Sequence, residues 1–433
     1  MTVSVVFLIA VLVIVALSML GLPVGHAMIG GSVLYLMIKG MDMGTAAEQL
    51  LNGMYSSFLL LAIPLFILAA EFMNSGAIME RLLRFCNALV GRFRGGMAHV
   101  NVVQSVIFTA MSGSALADAA SSGKIMQSMM TKDGRYPPAF AAALTAASAV
   151  LGPVIPPSIP LVVYALVSDT SIGYLLLAGI IPGLMIGIAQ MLLIAMVAKR
   201  RNFPVEPSIP LRELPRITLE TFPALLMPVI LLVCLYSGAT TPTEAAAAAA
   251  MYSLAVSAFL YRTMGLRDAY HALLSSARVT ASIGMLIAGA MVFNYVIAVE
   301  NIPKTLAAML KAAELSPAMF LLFANVLLLV LGCVLEGTTI LLIFVPVLLP
   351  TAHALGIDPV HFGVVVVVNV MIGLCSPPYG LLLLMMVKIT GVPLKDIVKE
   401  MIPFHISMTI TLLLITYVPW FTLVVPRLLG YKG

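Results

Sequence analysis

The chain has 433 residues, of which 61% are hydrophobic and only 9% are charged, and its mean hydropathy is +1.11. Because a soluble domain carries about 25% charged residues, this composition excludes sizeable soluble domains and predicts an all-α polytopic membrane protein. The net charge of +5 is small. It lies in short loops, where Lys and Arg report membrane topology rather than nucleic-acid binding.

Apolar runs of about 20 residues are long enough to cross a bilayer as helices. Residues 1–20 lack a basic segment and a small-residue cleavage site, so we expect a retained first span rather than a cleaved signal. In chain order, simple spans are predicted at 3–20, 22–39, 55–74, 172–198, 221–238, 242–261, 278–298 and 402–425.

Two longer apolar runs, 137–170 and 359–390, contain helix breakers near their centres. Residues 152–158 read Gly-Pro-Val-Ile-Pro-Pro-Ser, and residues 373–379 read Gly-Leu-Cys-Ser-Pro-Pro-Tyr. Each proline removes a backbone donor and clashes with the preceding turn. We therefore predict two broken transmembrane helices, and paired breaks of this kind point to a transporter binding site.

Two further apolar runs contain polar residues at mid-depth. Residues 98–131 carry Ser112-Gly113-Ser114, and residues 317–355 carry Glu336-Gly337-Thr338-Thr339. Irregular backbone at that depth is tolerated only when it is buried in protein or lines a wet cavity. Both runs are predicted to be re-entrant hairpins whose tips lie near the membrane centre.

The breaks also indicate an internal repeat. Pro156 and Pro377 are 221 positions apart, and the same offset relates Pro138 to Pro359. It shifts by about three residues at the hairpin tips, as loops in duplicated folds do. Each half would contain a span, a surface helix (77–94 or 303–314), a hairpin, a broken helix and a span.

Basic residues set the predicted orientation. The segments 80–95, 199–216, 262–278 and 388–399 are rich in Lys and Arg, and one threading places all four on the cytoplasmic side. Both termini are then periplasmic, the two hairpins enter from opposite sides, and the repeat is inverted. The predicted parts are N-terminal scaffold helices (1–54), the first repeat (55–198), a linker with scaffold helices (199–277) and the second repeat (278–433).

The broken elements offer hydroxyls and unwound backbone. Sodium takes such oxygen ligands, and the negative ends of half-helices favour a cation, whereas helix N-termini favour an anion. We therefore predict one sodium site per half and a carboxylate substrate between the two tips, although each Ser or Thr could simply bond the previous turn. The first sodium site is assigned to Ser112, Gly113, Ser114, Gly152, Ile155, Pro156 and Ser158. The second is assigned to Gly337, Thr338, Thr339, Gly373, Cys375 and Ser376, and the substrate site to Ser114, Ser158, Thr338 and Pro377.

Three acidic residues have other interpretations. Asp118 is expected to brace the first hairpin rather than bind substrate. Glu336 could bind a proton or sodium, or pair with a buried cation. Thr241-Pro-Thr-Glu244 forms a capping box before six alanines, which predicts a scaffold helix that packs closely against a neighbour.

Four motifs together resemble a known family. They are Ser112-Gly-Ser-Ala-Leu-Ala-Asp118, Gly152-Pro-Val-Ile-Pro-Pro-Ser158, Ala239-Thr-Thr-Pro-Thr-Glu244 and Gly373-Leu-Cys-Ser-Pro-Pro-Tyr-Gly380. The whole chain is similar to the large membrane subunit of TRAP transporters.

The resemblance implies a sodium-driven importer of organic acids in the bacterial inner membrane, belonging to the ion transporter superfamily. It implies an elevator motion of a transport domain against a scaffold, with no cofactor besides the coupling sodium ions. The implied partners are membrane lipid, a small four-helix membrane subunit and a periplasmic substrate-binding protein.

Alternatives remain open at the level of sequence. One is a sodium/anion symporter of the same superfamily that works without a binding protein. A second is an intramembrane serine protease that uses Ser112 or Ser114, for which His99 is the nearest candidate base. A third is a channel.

Overall fold

The computed structural model describes residues 4–55, 58–74, 76–205, 210, 212–236, 240–305, 308 and 316–433. Regular structure in these residues is helical apart from an isolated bridge between Arg94 and Val205, so the all-α prediction is confirmed. The first half contains α1 Val5–Met19, α2 Val24–Ile38, α3 Gly44–Tyr55, α4 Ala62–Met73, α5 Gly76–Val90, α6 Gly96–Ser112, α7 Ala115–Thr131, α8 Pro138–Ala149, α9 Ile159–Ser168 and α10 Ile172–Arg200. The second half contains α11 Leu214–Tyr236, α12 Pro242–Ala255, α13 Leu266–Val299, α14 Pro317–Gly332, α15 Gly337–Ala354, α16 Pro359–Gly373, α17 Leu381–Thr390, α18 Leu394–Tyr417 and α19 Trp420–Leu428.

Six helices of the described residues are long and apolar enough to cross a membrane unaided. They are α10, α11, α12 with its following π-turn, α13, α15 and α18. Other apolar helices are shorter, including α8, α9, α16 and α17, which are the halves of the two predicted broken spans. A multi-pass membrane protein follows from these lengths.

The prediction of one span over 402–425 is wrong. Helix α18 ends at Tyr417, and Val418 adopts φ −122° and ψ 83° before Pro419. A residue that precedes proline is pushed out of the helical region because the proline ring clashes with it. A separate helix, α19, then begins at Trp420.

The predicted span at 278–298 begins too late. Helix α13 starts at Leu266 and has 34 residues, because its charged first turn is itself capped. The Gly265 N–H donates to the Asp268 carboxylate at 2.9 Å, which satisfies one of the free donors at the helix start.

The surface-helix prediction for 77–94 largely agrees with α5, although α5 ends at Val90. Leu82 and Cys86 are fully buried, and the Arg81 guanidinium lies 4.7 Å from the ring centre of Tyr261. Of the second predicted surface helix, 303–314, residues 306–307 and 309–314 lie outside the described residues.

Helix α12 packs against α4 through its alanine face, as expected. Ala245, Ala246 and Ala249 are fully buried. The capping box is present: the Thr241 N–H donates to Glu244 at 2.7 Å, and the Glu244 N–H donates to the Thr241 hydroxyl at 3.3 Å. Small side chains therefore allow the two backbones to approach closely.

Helices α1, α2 and α13 are joined at one end by a polar cluster. Just beyond α13, the Glu300 carboxylate accepts hydrogen bonds from Ser4 Oγ at 2.7 Å, from Tyr35 and from Lys39 Nζ at 3.0 Å. The cluster ties the end of α13 to both N-terminal helices.

Candidate functional site

The first hairpin turns at residues 112–114, called the first tip. Helix α6 ends at Ser112, Gly113 has φ +62°, and α7 begins at Ala115. The Ser114 hydroxyl caps α7 by accepting from the Ala117 N–H at 3.3 Å. Ser112 is 7% exposed, and its hydroxyl has no hydrogen-bond partner, so this oxygen is available to a ligand.

The first break, residues 150–158, separates α8 from α9. Ser158 caps α9 by accepting from the Leu161 N–H at 3.1 Å, and its own hydroxyl donates to the Pro153 carbonyl. All residues of this break are buried except Ile155, which is partly exposed. The Ser158 hydroxyl is therefore engaged within its own loop.

The first tip touches the first break directly. A Cβ added to Gly113 would lie 2.6 Å from the Pro157 carbonyl oxygen. Glycine is thus required at this position both for its positive φ and for the close approach.

The second hairpin turns at residues 336–339, called the second tip. Helix α14 ends at Gly332, and α15 begins at Gly337. The Glu336 carboxylate caps α15 by accepting from the Thr339 N–H at 3.1 Å and from the Thr338 hydroxyl at 2.9 Å. Since its oxygens bind the start of its own helix, Glu336 acts first as a helix cap.

The second break, residues 374–380, separates α16 from α17 and packs on the second hairpin. A Cβ on Gly332 would lie 2.8 Å from the Gly373 Cα, and the Gly380 N–H donates to the Cys333 carbonyl at 3.2 Å. Cys375 and Ser376 both donate to the Ile372 carbonyl, at 3.1 Å and 2.8 Å.

The two tips and the two helix-break regions converge on one cavity of about 530 Å³, the central cavity. Helices α4 and α13 close its other side. Its lining is mostly apolar, with a few polar groups, which is typical of a small-molecule site. The polar side chains that line it are Glu71, Asn74, Ser112, Ser114, Ser282, Glu336 and Thr338.

Four of the predicted site residues line this cavity: Ser112, Gly113, Ser114 and Thr338. Some other predicted residues lie next to residues that do line the cavity, namely Pro153, Met371 and Leu374. The predicted residues that do not line it are Gly152, Ile155, Pro156, Ser158, Gly337, Thr339, Gly373, Cys375, Ser376 and Pro377. Pro377 is exposed, so of the predicted substrate contacts only Ser114 and Thr338 face the cavity.

Glu71, Asn74 and Ser282 were missed by sequence reasoning. Glu71 lies in α4, and one of its carboxylate oxygens accepts from the Ser275 hydroxyl at 2.8 Å. A carboxylate inside the apolar run 55–74 is costly and usually functional, which is the signal that could have found it. The sequence around Ser282 contains no comparable feature that would have identified it.

Asp118 is fully buried and braces the first hairpin. One carboxylate oxygen accepts from Ser122 at 2.9 Å, on the same helix, and from Gln104 at 3.5 Å, on the opposite arm. The contacts are those that the bracing interpretation expects, and Asp118 does not line the central cavity.

Each hairpin is also joined to the broken helix of its own half by a buried polar pair. In the first half, the Ser148 hydroxyl donates to Asn101 at 3.0 Å. In the second, the Asn369 amide donates to the Asn325 side chain at 2.8 Å and to its backbone carbonyl at 2.9 Å. Ser148 and Asn369 are 221 positions apart, which is the offset of the predicted repeat.

Residues 11–421 match the family model described as the tripartite ATP-independent periplasmic transporter, DctM component. The chain is 40% identical over 413 residues to the sialic acid TRAP transporter large permease protein SiaM of Vibrio cholerae serotype O1, with 95% of this chain and 96% of that protein covered. It is 42% identical over 373 residues to the C4-dicarboxylate TRAP transporter large permease protein DctM of Pseudomonas aeruginosa, with 86% and 87% covered.

Among solved structures, the YdaH transporter of Alcanivorax borkumensis superposes with a TM-score of 0.61 over 87% of each chain. The sequence identity is 15%. At that identity the similarity concerns the fold alone.

Proposed function

The chain belongs to the family of TRAP transporter large permeases, and from this premise we propose that it imports a small organic acid together with sodium ions. Its relatives are transport proteins, so the chain is a permease and not an enzyme. Family membership thus removes the intramembrane serine protease alternative.

The observation that carries the proposal is the central cavity. Both tips and both break regions contribute to its wall, and α4 and α13 provide the remainder. A substrate site at the meeting point of broken helices is what transporters that work by alternating access use. The tips and breaks form the moving part in our proposal, and α4 and α13 belong to the scaffold of an elevator.

We assign one sodium ion to the first tip and the first break. The unpartnered Ser112 hydroxyl and the Pro157 carbonyl, which lies against Gly113, are oxygen donors of the kind that sodium takes. We assign a second ion to the corresponding elements of the other half, the second tip with Thr338 and Thr339 and the second break. The substrate then lies between Ser114 and Thr338, with Glu71, Asn74 and Ser282 on the opposite wall.

The substrate and partners follow from the family. The relatives are named for sialic acid and for C4-dicarboxylates, so we propose an organic acid as substrate here. The tripartite description of the family supports a small membrane subunit and a periplasmic binding protein as partners. We place the complex in the bacterial inner membrane.

Uptake into proteoliposomes tests the coupling. The chain is reconstituted with its two partners and supplied with a radiolabelled acid that stabilises the binding protein. We expect uptake under an inward sodium gradient and none when potassium replaces sodium. Equal uptake in potassium would refute sodium coupling.

A matched pair of variants locates the first ion. Ser112→Ala should raise the sodium concentration needed for half-maximal uptake without lowering the melting temperature, because this hydroxyl has no protein partner. Ser121→Ala is the control, since its hydroxyl bonds the Ala117 carbonyl at 2.8 Å and does not line the cavity. An unchanged sodium dependence in Ser112→Ala would exclude Ser112 as a ligand.

A further inference from the structure

A second cavity, called the lateral groove, lies on the side of the molecule between the start of α6 and the end of α10. Its volume is about 580 Å³, and it shares no lining residue with the central cavity. The groove is lined by Phe93, Arg94, His99, Ile188, Met191, Leu192, Ala195 and Lys199.

One wall of the groove faces hydrocarbon. Ile188 and Leu192 are 57% and 61% exposed on a membrane-spanning helix, so the acyl chains of bilayer lipids can contact them. Ile188, Leu192, Ala195 and Lys199 follow one another at helical spacing and therefore share a face of α10. This face is apolar from Ile188 to Ala195 and ends at the cationic side chain of Lys199.

The other end of the groove is positively charged. Arg94 and Lys199 are exposed, and neither forms an ion pair with an acidic residue in the described part of the chain. Helix α6 begins beside them at Gly96 and has 17 residues, so the positive end of its dipole adds to the same field. An anionic group is the complement of this arrangement.

The His99 side chain is independent evidence for a ligand in the groove. Its side chain is only 4% exposed, and Nδ1 is buried with no hydrogen-bond partner. The Phe93 ring contacts the imidazole edge-on, with ring centres 5.9 Å apart. Because buried polar atoms in native proteins are nearly always bonded, a polar ligand in the groove would complete this site.

We propose that the lateral groove binds one anionic phospholipid. Its phosphate lies against Arg94 and Lys199, His99 bonds the headgroup, and one acyl chain follows Ile188 to Ala195. Basic pockets beside membrane helices on the cytoplasmic side recognise anionic headgroups in this way, and the sequence places Arg94 and Lys199 on that side. The site is separate from the transport cavity.

Native mass spectrometry of the full-length protein tests the proposal. Delipidated protein is titrated with dioleoylphosphatidylglycerol and, separately, with dioleoylphosphatidylcholine. We expect one tightly held phosphatidylglycerol and weaker phosphatidylcholine binding. The double variant Arg94→Gln/Lys199→Gln should bind phosphatidylglycerol roughly 30-fold more weakly, since each cation near a lipid headgroup contributes about a 5-fold effect.

The double variant Arg267→Gln/Lys395→Gln is the matched control, because it removes two exposed cations outside the groove. It should bind phosphatidylglycerol as the wild type does. Equal binding of the two lipids, or equal loss in both double variants, would overturn the proposal. Displacement of the lipid by excess inorganic phosphate would also overturn it, because a free anion would then be the ligand.

A second measurement uses the wild type alone and does not depend on variant folding. Phosphatidylglycerol with a diazirine in its acyl chain is photolysed in the complex. Labelling concentrated on residues 188–195 supports the proposal. Labelling spread evenly over the exposed apolar helices contradicts it.

Discussion

Gly113 lies where the first tip contacts the first break. Its φ of +62° and its approach to Pro157 both exclude a side chain. Gly134 offers a matched comparison, because it has φ +68° but no atom within 4 Å of an added Cβ.

We predict that Gly113→Ala lowers the free energy of unfolding more than Gly134→Ala does. Both variants share a left-handed backbone penalty of about 1 kcal/mol, and only Gly113→Ala adds a steric clash of about 1–3 kcal/mol. Denaturant unfolding in detergent measures the difference, and sodium-driven uptake should fall only in Gly113→Ala. Equal losses in the two variants would show that the contact with Pro157 is unimportant.

The tip residues could be predicted from sequence because glycine and proline act locally. A Pro-Pro pair removes two adjacent backbone donors, and a glycine readily takes the positive φ that a turn between two helices needs. The direction of each side chain could not be predicted. The Ser158 hydroxyl turns to Pro153, Pro377 faces outward, and both outcomes depend on the path of the whole loop.

At the scale of elements, the buried pair Asn325–Asn369 connects the second hairpin to the second broken helix. Asn369→Leu should destabilise the protein by about 1–3 kcal/mol, because Asn325 is left buried with acceptors that have lost their donor. Adding Asn325→Leu should recover part of this loss. Unfolding in an SDS titration measures all three variants, and strictly additive losses would contradict the coupling.

The cluster at Glu300 makes the junction of α1, α2 and α13 sensitive to acid. Burial raises the pKa of this carboxyl group, but hydrogen bonds from Ser4, Tyr35 and Lys39 outweigh burial and bring the pKa from 4.5 to about 2. A lowered pKa in the folded state gives stability that is present above pH 4.5 and is lost as the pH falls towards 2.

Glu300→Gln should therefore lower the thermal unfolding midpoint at pH 7. The difference from wild type should shrink at pH 3, where the unfolded carboxyl group is already protonated and part of the linkage is gone. Differential scanning fluorimetry at both pH values measures it. A difference that grows on acidification would contradict the assignment.

Which face of α4 or of α13 lines the cavity could not be predicted from sequence. Glu71 and Ser282 lie on α4 and α13, which are apolar over most of their surface. Their inward direction is set by packing against the hairpins. The end of α18 could not be predicted because a proline does not always end a helix. Pro403 lies inside α18, whereas the helix stops before Pro419.

At the scale of the whole molecule, the distribution of Lys and Arg predicts which side each loop occupies. In a background without native cysteines, Lys432→Cys should react with a membrane-impermeant maleimide in intact spheroplasts. Arg267→Cys and Lys395→Cys should react only after permeabilisation, because their segments are predicted to be cytoplasmic. The reverse pattern would invert the predicted topology.

The length of helix α13 bears on the depth of the central cavity in the membrane. Its 34 residues make a rod of about 51 Å, whereas the hydrocarbon core is about 30 Å thick. Since tilts stay within about 40°, part of α13 must extend beyond the hydrocarbon core. The C-terminal end of α13 is held by the Glu300 cluster. With this end anchored to α1 and α2, α13 fixes the height of Ser282, and the sliding of the tips that we propose can be measured as a change in their distance from Ser282.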